Sequence, residues 1–249
     1  MGVMVEFERR IPTVTTLIRL RAKLGPMAYC NLSVNQLVQF SAKTDAGKRR
    51  IIQQQLNPDT FKVQWYQKAK ACIRASISQN FDHQPVYDGL AMLAARKAVT
   101  KHQLSDKATS IEALERFLDL KVPSILRTMH YTTIRPPDKT VMISDVEITV
   151  APEIVFRGTM GGKKVVGGVK IHICKGTPFD YEQSEQVAAV IYRYLVEKVA
   201  LPDEKVIPAL CLSLDIFGDR IVQAPRDLTR VNRSLDEVCN EVKVHWLAA

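Results

Sequence analysis

Cysteines are few and unpatterned in this chain. Cys30, Cys72, Cys174, Cys211 and Cys239 are five in 249 residues, lie far apart and form no CxxC pair. That excludes a small disulfide scaffold and speaks against a cysteine-based zinc site; free thiols in a reducing compartment are the expectation. His83, His102, His130 and His245 show no metal-ligand spacing either. No run of 18 apolar residues occurs, so no membrane span is expected. The first residues carry Glu6 and Glu8 and no apolar stretch, unlike a secretory signal, and Glu6 stands where N-myristoylation wants Ser or Thr. The expected location is cytoplasmic. There is no Gly-x-Ser-x-Gly elbow, and Gly158 to Lys163 lacks the spacing of a phosphate-binding loop, so it reads as a hairpin turn. Hydrophobic residues at 46% and charged residues at 24% exclude a disordered chain.

What is present is positive charge on one side of the chain. The net charge is +9. Residues 1–140 hold 22 Lys and Arg against 11 Asp and Glu, whereas residues 141–249 hold 13 against 15. A basic first half joined to a near-neutral second half suggests a surface for a polyanion. The basic residues that stand out are Lys48, Arg49 and Arg50, then Lys62, Lys68, Lys70 and Arg74, then Lys163 and Lys164. Trp65 and Tyr66 lie among the second group, where a core anchor is the more usual role for Trp65.

Apolar spacing divides the chain in the same place. Ser33 reads as the cap of a helix carrying Leu37 and Phe40 on one face. Residues 61–79 repeat apolar side chains at three-to-four spacing (Phe61, Trp65, Ala69, Cys72, Ile73, Ile77), and 88–103 and 110–120 read as further helices, the last with Ser110 as a weak cap. Pro136-Pro137 within 132–140 cannot sit inside a helix and marks a connector. Beyond it the period changes to two. Strands are expected over 141–150, 152–156, 165–174, 207–217 and 220–224, and helices over 181–199 and 234–247. The division expected is therefore a helical basic part at 1–131, a connector at 132–140 and an α/β unit at 141–249.

The chemistry centres on 165–174. Val169, Ile171 and Ile173 point one way; Gly168, Lys170, His172 and Cys174 point the other. A lysine in mid-strand wants an anionic neighbour, and Glu153 on the preceding strand can supply it. Asp145 and Glu147 share a strand face and offer further carboxylates, and Asp215 lies near the end of the next strand.

Pro152-Glu153, then Gly168-Val169-Lys170, then the helix from Tyr181 resemble the PD-(D/E)XK nuclease superfamily, most of all its RecB-like and lambda-exonuclease-like branches. Glu153 stands for the first acid and Lys170 for the motif lysine, while Gly168 replaces the acid two residues before it. Gln183 and Gln186 stand near the helix signature, which is degenerate, and Ser33-Val34-Asn35-Gln36-Leu37 resembles the helix start of RecB-like members. The resemblance implies a restriction-endonuclease-like αβββαβ core with a mixed sheet, and Mg²⁺ or Mn²⁺ held by Glu153 with Glu147 and Asp145 as auxiliary ligands. It also implies phosphodiester chemistry carried by Glu153 and Lys170, with His172 near the phosphate. DNA is the expected partner ahead of RNA, in a defence or mobile-element setting; a protein partner or a second copy of the chain stays open. Because Gly168 brings no carboxylate, two readings stand side by side: a metal-dependent deoxyribonuclease, and a catalytically inactive relative that binds nucleic acid or serves as an assembly subunit.

Overall fold

The computed structural model describes residues 30–58 and 65–249. The readings placed on the N-terminal segment, on Phe61 and on Lys62 lie outside them.

Local capping sets the helix starts. Ser33 caps α1 (Val34–Ser41): its hydroxyl accepts from the Gln36 amide, and the Gln36 side chain accepts from the Ser33 amide. Three residues later Thr44 caps α2 (Asp45–Leu56). Next come α3 (Gln67–Ser78) and α4 (Gln84–Ala95). Thr100 and Gln103 form a second capping box at the start of α5 (Lys101–Asp119). Ser110, read as a cap, is instead buried in the middle of α5. The stretch 88–103 is split, because α4 ends at Ala95 and α5 begins at Lys101. A short α6 (Ser124–Thr128) closes this series.

Among the described residues the strands are β1 (Asn31–Ser33), β2 (Tyr131–Ile134), β3 (Thr140–Ile143), β4 (Val146–Thr149), β5 (Ile154–Met160), β6 (Lys163–His172), β7 (Lys205–Asp215) and β8 (Arg220–Gln223). Two points depart from expectation. Part of the connector is a strand, β2, so only the residues between Ile134 and Thr140 link it to β3. The stretch 141–150 is a hairpin, because Ser144 and Asp145 take left-handed backbone angles (φ 44° and 63°) and reverse the chain. Five strands form one mixed sheet in the order β2-β5-β6-β7-β8, and β1-β4-β3 form a second, smaller sheet. β6 and β7 pair in parallel, which requires a crossover. It is α7 (Tyr181–Tyr194), continued by a π-turn at Leu195–Val199. The last helix, α8 (Thr229–Leu247), starts five residues earlier than its apolar pattern indicates.

The large sheet is covered on both faces. Val155, Val166 and Cys211 point into a core shared with α1, α2, α7, α8 and the small sheet. Phe156, Val169, Ile171, Leu210 and Leu212 point into a second core shared with α3, α4 and α5. The helical first half is thus divided between the two faces. The molecule is α/β, about half helical, with mixed sheets. Among the described residues no helix is long and apolar enough to cross a membrane.

Candidate functional site

The site forms where β5 begins and β6 runs on past it. Ile154 pairs with Val169, so the β6 backbone beyond that point has no β5 strand partner. Glu153 fills the gap with its side chain: Oε2 accepts from the Ile171 amide at 2.7 Å, as a strand carbonyl would. Its other oxygen, Oε1, meets the Lys170 ammonium at 3.4 Å and the Lys70 ammonium at 2.6 Å. Lys170 also donates to the Ala151 carbonyl at 2.8 Å. Ala151 holds a left-handed φ of 39°, which turns the chain just ahead of Pro152 and aims that carbonyl. The side chains of Glu153 and Lys170 are 7% and 12% exposed, and that of Lys70, at the rim, 38%. Burial pushes the Lys170 amine below its ordinary pKa; Glu153 opposes this and Lys70 adds to it.

Lys170 and His172 face Ser213 and Asp215 across the β6–β7 ladder. His172 and Asp215 hold the loop that leads into α7. The imidazole Nε2 lies 2.9 Å from the Thr177 carbonyl, so it carries the proton and donates, and the ring stacks on Phe179 at 3.7 Å. Asp215 accepts from the Phe179 amide at 2.5 Å. Burial lowers the His172 pKa and raises that of Asp215. His172, expected near phosphate, is buried and serves this loop.

Gly168 explains itself by packing. A Cβ there would lie 3.2 Å from Ile191 and 3.5 Å from Leu195, beneath the crossover helix. The position expected for the second acid is therefore crowded by the crossover, and a side chain there would have to push Ile191 aside by a few tenths of an ångström.

The other expected ligands lie elsewhere. Asp145 is at the tip of the β3–β4 turn, 91% exposed, with Lys243 at 3.5 Å. Glu147 accepts from the Asn31 amide at 2.5 Å within the small sheet. The turn at Ser144–Asp145 pairs β4 with β3 and β1, so both carboxylates leave the large sheet. Among the described residues no three His, Cys, Asp or Glu side chains converge as a metal site. Mg²⁺ wants several free oxygen ligands. Glu153 offers oxygens already bound by two ammonium groups and an amide, so these residues do not fit a resident Mg²⁺ or Mn²⁺ ion.

Gln183 donates to the Val38 carbonyl at 3.0 Å and completes the Asp180 cap of α7; Gln186 donates to Ser234 at 3.0 Å. Both tie α7 to neighbouring helices. The basic residues fall into three places. Lys48 is tied to Glu241 at 2.6 Å and lies over the Phe40 ring, while Arg49 and Arg50 are exposed on α2. Lys68 and Arg74 are on α3, across the sheet. Lys163 and Lys164 are at the β5–β6 hairpin, about 20 Å along β6 from Lys170 at the ordinary strand rise, and Lys164 pairs with Asp203. Trp65 is half-exposed and packs on His102 at 4.3 Å, so it is not a core anchor.

Sequence reasoning assigned Lys70 to the surface and missed it as a partner of Glu153. One signal was available: Lys70 precedes Ile73 by three residues and Ile77 by seven, on the stripe α3 buries.

No known protein family matches the chain, and no curated protein matches it in sequence.

Proposed function

We propose that the protein binds nucleic acid, duplex DNA foremost, and does not cut it, on a core related to the PD-(D/E)XK nucleases. The observation that carries this reading is the Glu153 carboxylate held between Lys70 and Lys170 at the start of β5. Antiparallel β5 and β6, a crossover helix and a parallel strand β7 support the relationship; the third antiparallel strand is β2, from the connector, whereas the stretch expected to supply it, 141–150, pairs in the small sheet. An acid and a lysine meet on neighbouring strands, as in such nucleases. The metal-holding part of the arrangement is what the residues do not fit: Gly168 lies under Ile191, and Asp145 and Glu147 have partners elsewhere. The excess of positive charge supports attraction to phosphates.

The test is incubation of the whole protein with linear and circular duplex DNA in Mg²⁺ and in Mn²⁺, beside K170A, with affinity followed against salt. Intact DNA and an affinity that falls steeply with salt agree with the reading. Cleavage by the parent protein that K170A loses refutes the non-cutting part, and an affinity indifferent to salt removes nucleic acid altogether.

A hydrolytic reading rests on one observation. Asp215 shares its strand face with Lys170 and His172, and its Oδ1 is buried without a partner. Cleavage lost in D215N would favour it.

A further inference from the structure

Three sets of basic residues compete as the nucleic-acid surface. Lys70 is spent on Glu153, Lys164 on Asp203 and Lys48 on Glu241, which leaves Arg49 and Arg50 on α2, Lys68 and Arg74 on α3 and Lys163 at the hairpin without a described carboxylate partner. From the adjacent, exposed Arg49 and Arg50 and the form of α2 we infer that α2 is the element that contacts duplex DNA; the inference rests on the nucleic-acid reading above.

Helix α2 follows α1 after only Ala42, Lys43 and Thr44, and both helices are capped at their first turn. It buries a single residue, Ile52, so most of its circumference is free. The inward lysine, Lys48, fixes the helix to α8 through Glu241, with its ammonium 5.5 Å from the Phe40 ring centroid. What remains outward is Arg49 and Arg50, with Gln54 one turn further along; Gln53 donates to the Ala249 carbonyl and accepts from Asn57. Residues four apart are neighbours on a helix surface, so Arg50 and Gln54 stand side by side. Both arginines are exposed, and no described carboxylate pairs with either.

The chemistry selects the partner. Guanidinium groups match phosphate oxygens and guanine edges in paired hydrogen bonds, and glutamine amides match adenine. α2 carries no aromatic side chain, so it offers no stacking platform for separated bases, which single-strand binders need. A short turn between two helices, the second presenting Arg and Gln outward, fits the wide groove of a duplex.

Fluorescence anisotropy with a labelled duplex of mixed sequence tests this on the full chain, comparing the parent, R49A/R50A and R74A across a salt series. The double variant is expected to bind roughly tenfold or more weaker. Its log–log salt slope should be shallower by about 1.8, the share of two phosphate contacts. R74A should track the parent. Because Arg49 and Arg50 have no side-chain partners among the described residues, the double variant should keep the parent's thermal midpoint, so lost binding is not lost folding. Equal binding by the parent and R49A/R50A overturns the assignment to α2 while leaving nucleic-acid binding in place. So does a loss confined to R74A. A parent that binds no duplex overturns both.

Discussion

Replacing Glu153 with alanine leaves two ammonium groups facing each other in a nearly closed site. At an effective permittivity of about 20, a carboxylate oxygen 3.4 Å from the Lys170 nitrogen supplies roughly 5 kcal/mol of attraction before desolvation. Most of that offsets the cost of burying Lys170. Lys70 is 38% exposed, so its share is screened to about 1 kcal/mol or less. The Ile171 amide also loses its acceptor, worth about 1 kcal/mol or more if it is left dry. Removing one partner of a buried pair typically costs about 3–5 kcal/mol, and E153A belongs in that range. Lys170→Met acts differently. It removes the buried charge and leaves Glu153 bound to Lys70 and to the Ile171 amide, so its effect is about 1 kcal/mol in either direction. Urea denaturation of the two variants beside the parent measures both. In a chain of this size the E153A loss corresponds to a fall in Tm of roughly 10 °C. An E153A cost below about 1 kcal/mol, or a K170M cost equal to it, refutes the picture of Glu153 as the keystone of a buried charge cluster.

Two further outcomes follow from the neighbouring residues. Burial holds the His172 pKa below its usual value near 6.5, so the unfolded chain takes up the proton first. That contribution is fully present above about pH 6.5 and is lost as pH falls through the lower folded value, at up to about 1.4 kcal/mol per pH unit. Asp215, raised by burial, acts in the opposite sense: its contribution is largest below about pH 4 and is lost as pH rises through its folded value. His172→Gln retains a donor for Thr177 and should flatten the stability profile below about pH 6.5 relative to the parent; an unchanged profile would show that His172 does not titrate as described. Restoring the motif acid with Gly168→Asp should destabilise by about 1–3 kcal/mol, since the added side chain crowds Ile191, and should bring no cleavage. A stable, DNA-cutting G168D protein, seen in melting and gel assays, would contradict the packing argument.

The elements that could be read in the sequence are those whose determinants are local. The alternation along β6 separates Val169 and Ile171 from Lys170 and His172, and both sets lie where period two puts them. With β5 and β6 adjacent, the meeting of Glu153 and Lys170 follows from register alone. What escaped depends on distant partners. Nothing near Ser144-Asp145 carries a glycine or asparagine to announce left-handed angles, so a hairpin passed as one strand and took Asp145 and Glu147 with it. β2 sits against the proline pair and exposes both its threonines, which hid it in a connector. Charge counting cannot separate a lysine used internally from one left for a ligand. Lys48, Lys70 and Lys164 each met a carboxylate from another part of the chain, whereas among the described residues Arg49 and Arg50 did not. Gly168 read as a missing acid; only the approach of Ile191 and Leu195 shows that its smallness admits α7.

Glu153 is occupied by two lysines, an arrangement that does not suit a metal ion. Anomalous diffraction from a crystal of the whole protein soaked in Mn²⁺ tests it directly. Lys70 and Lys170 are both expected on the Glu153 carboxylate, with no manganese peak beside it. A manganese ion bound to Glu153, with either ammonium displaced, would contradict it.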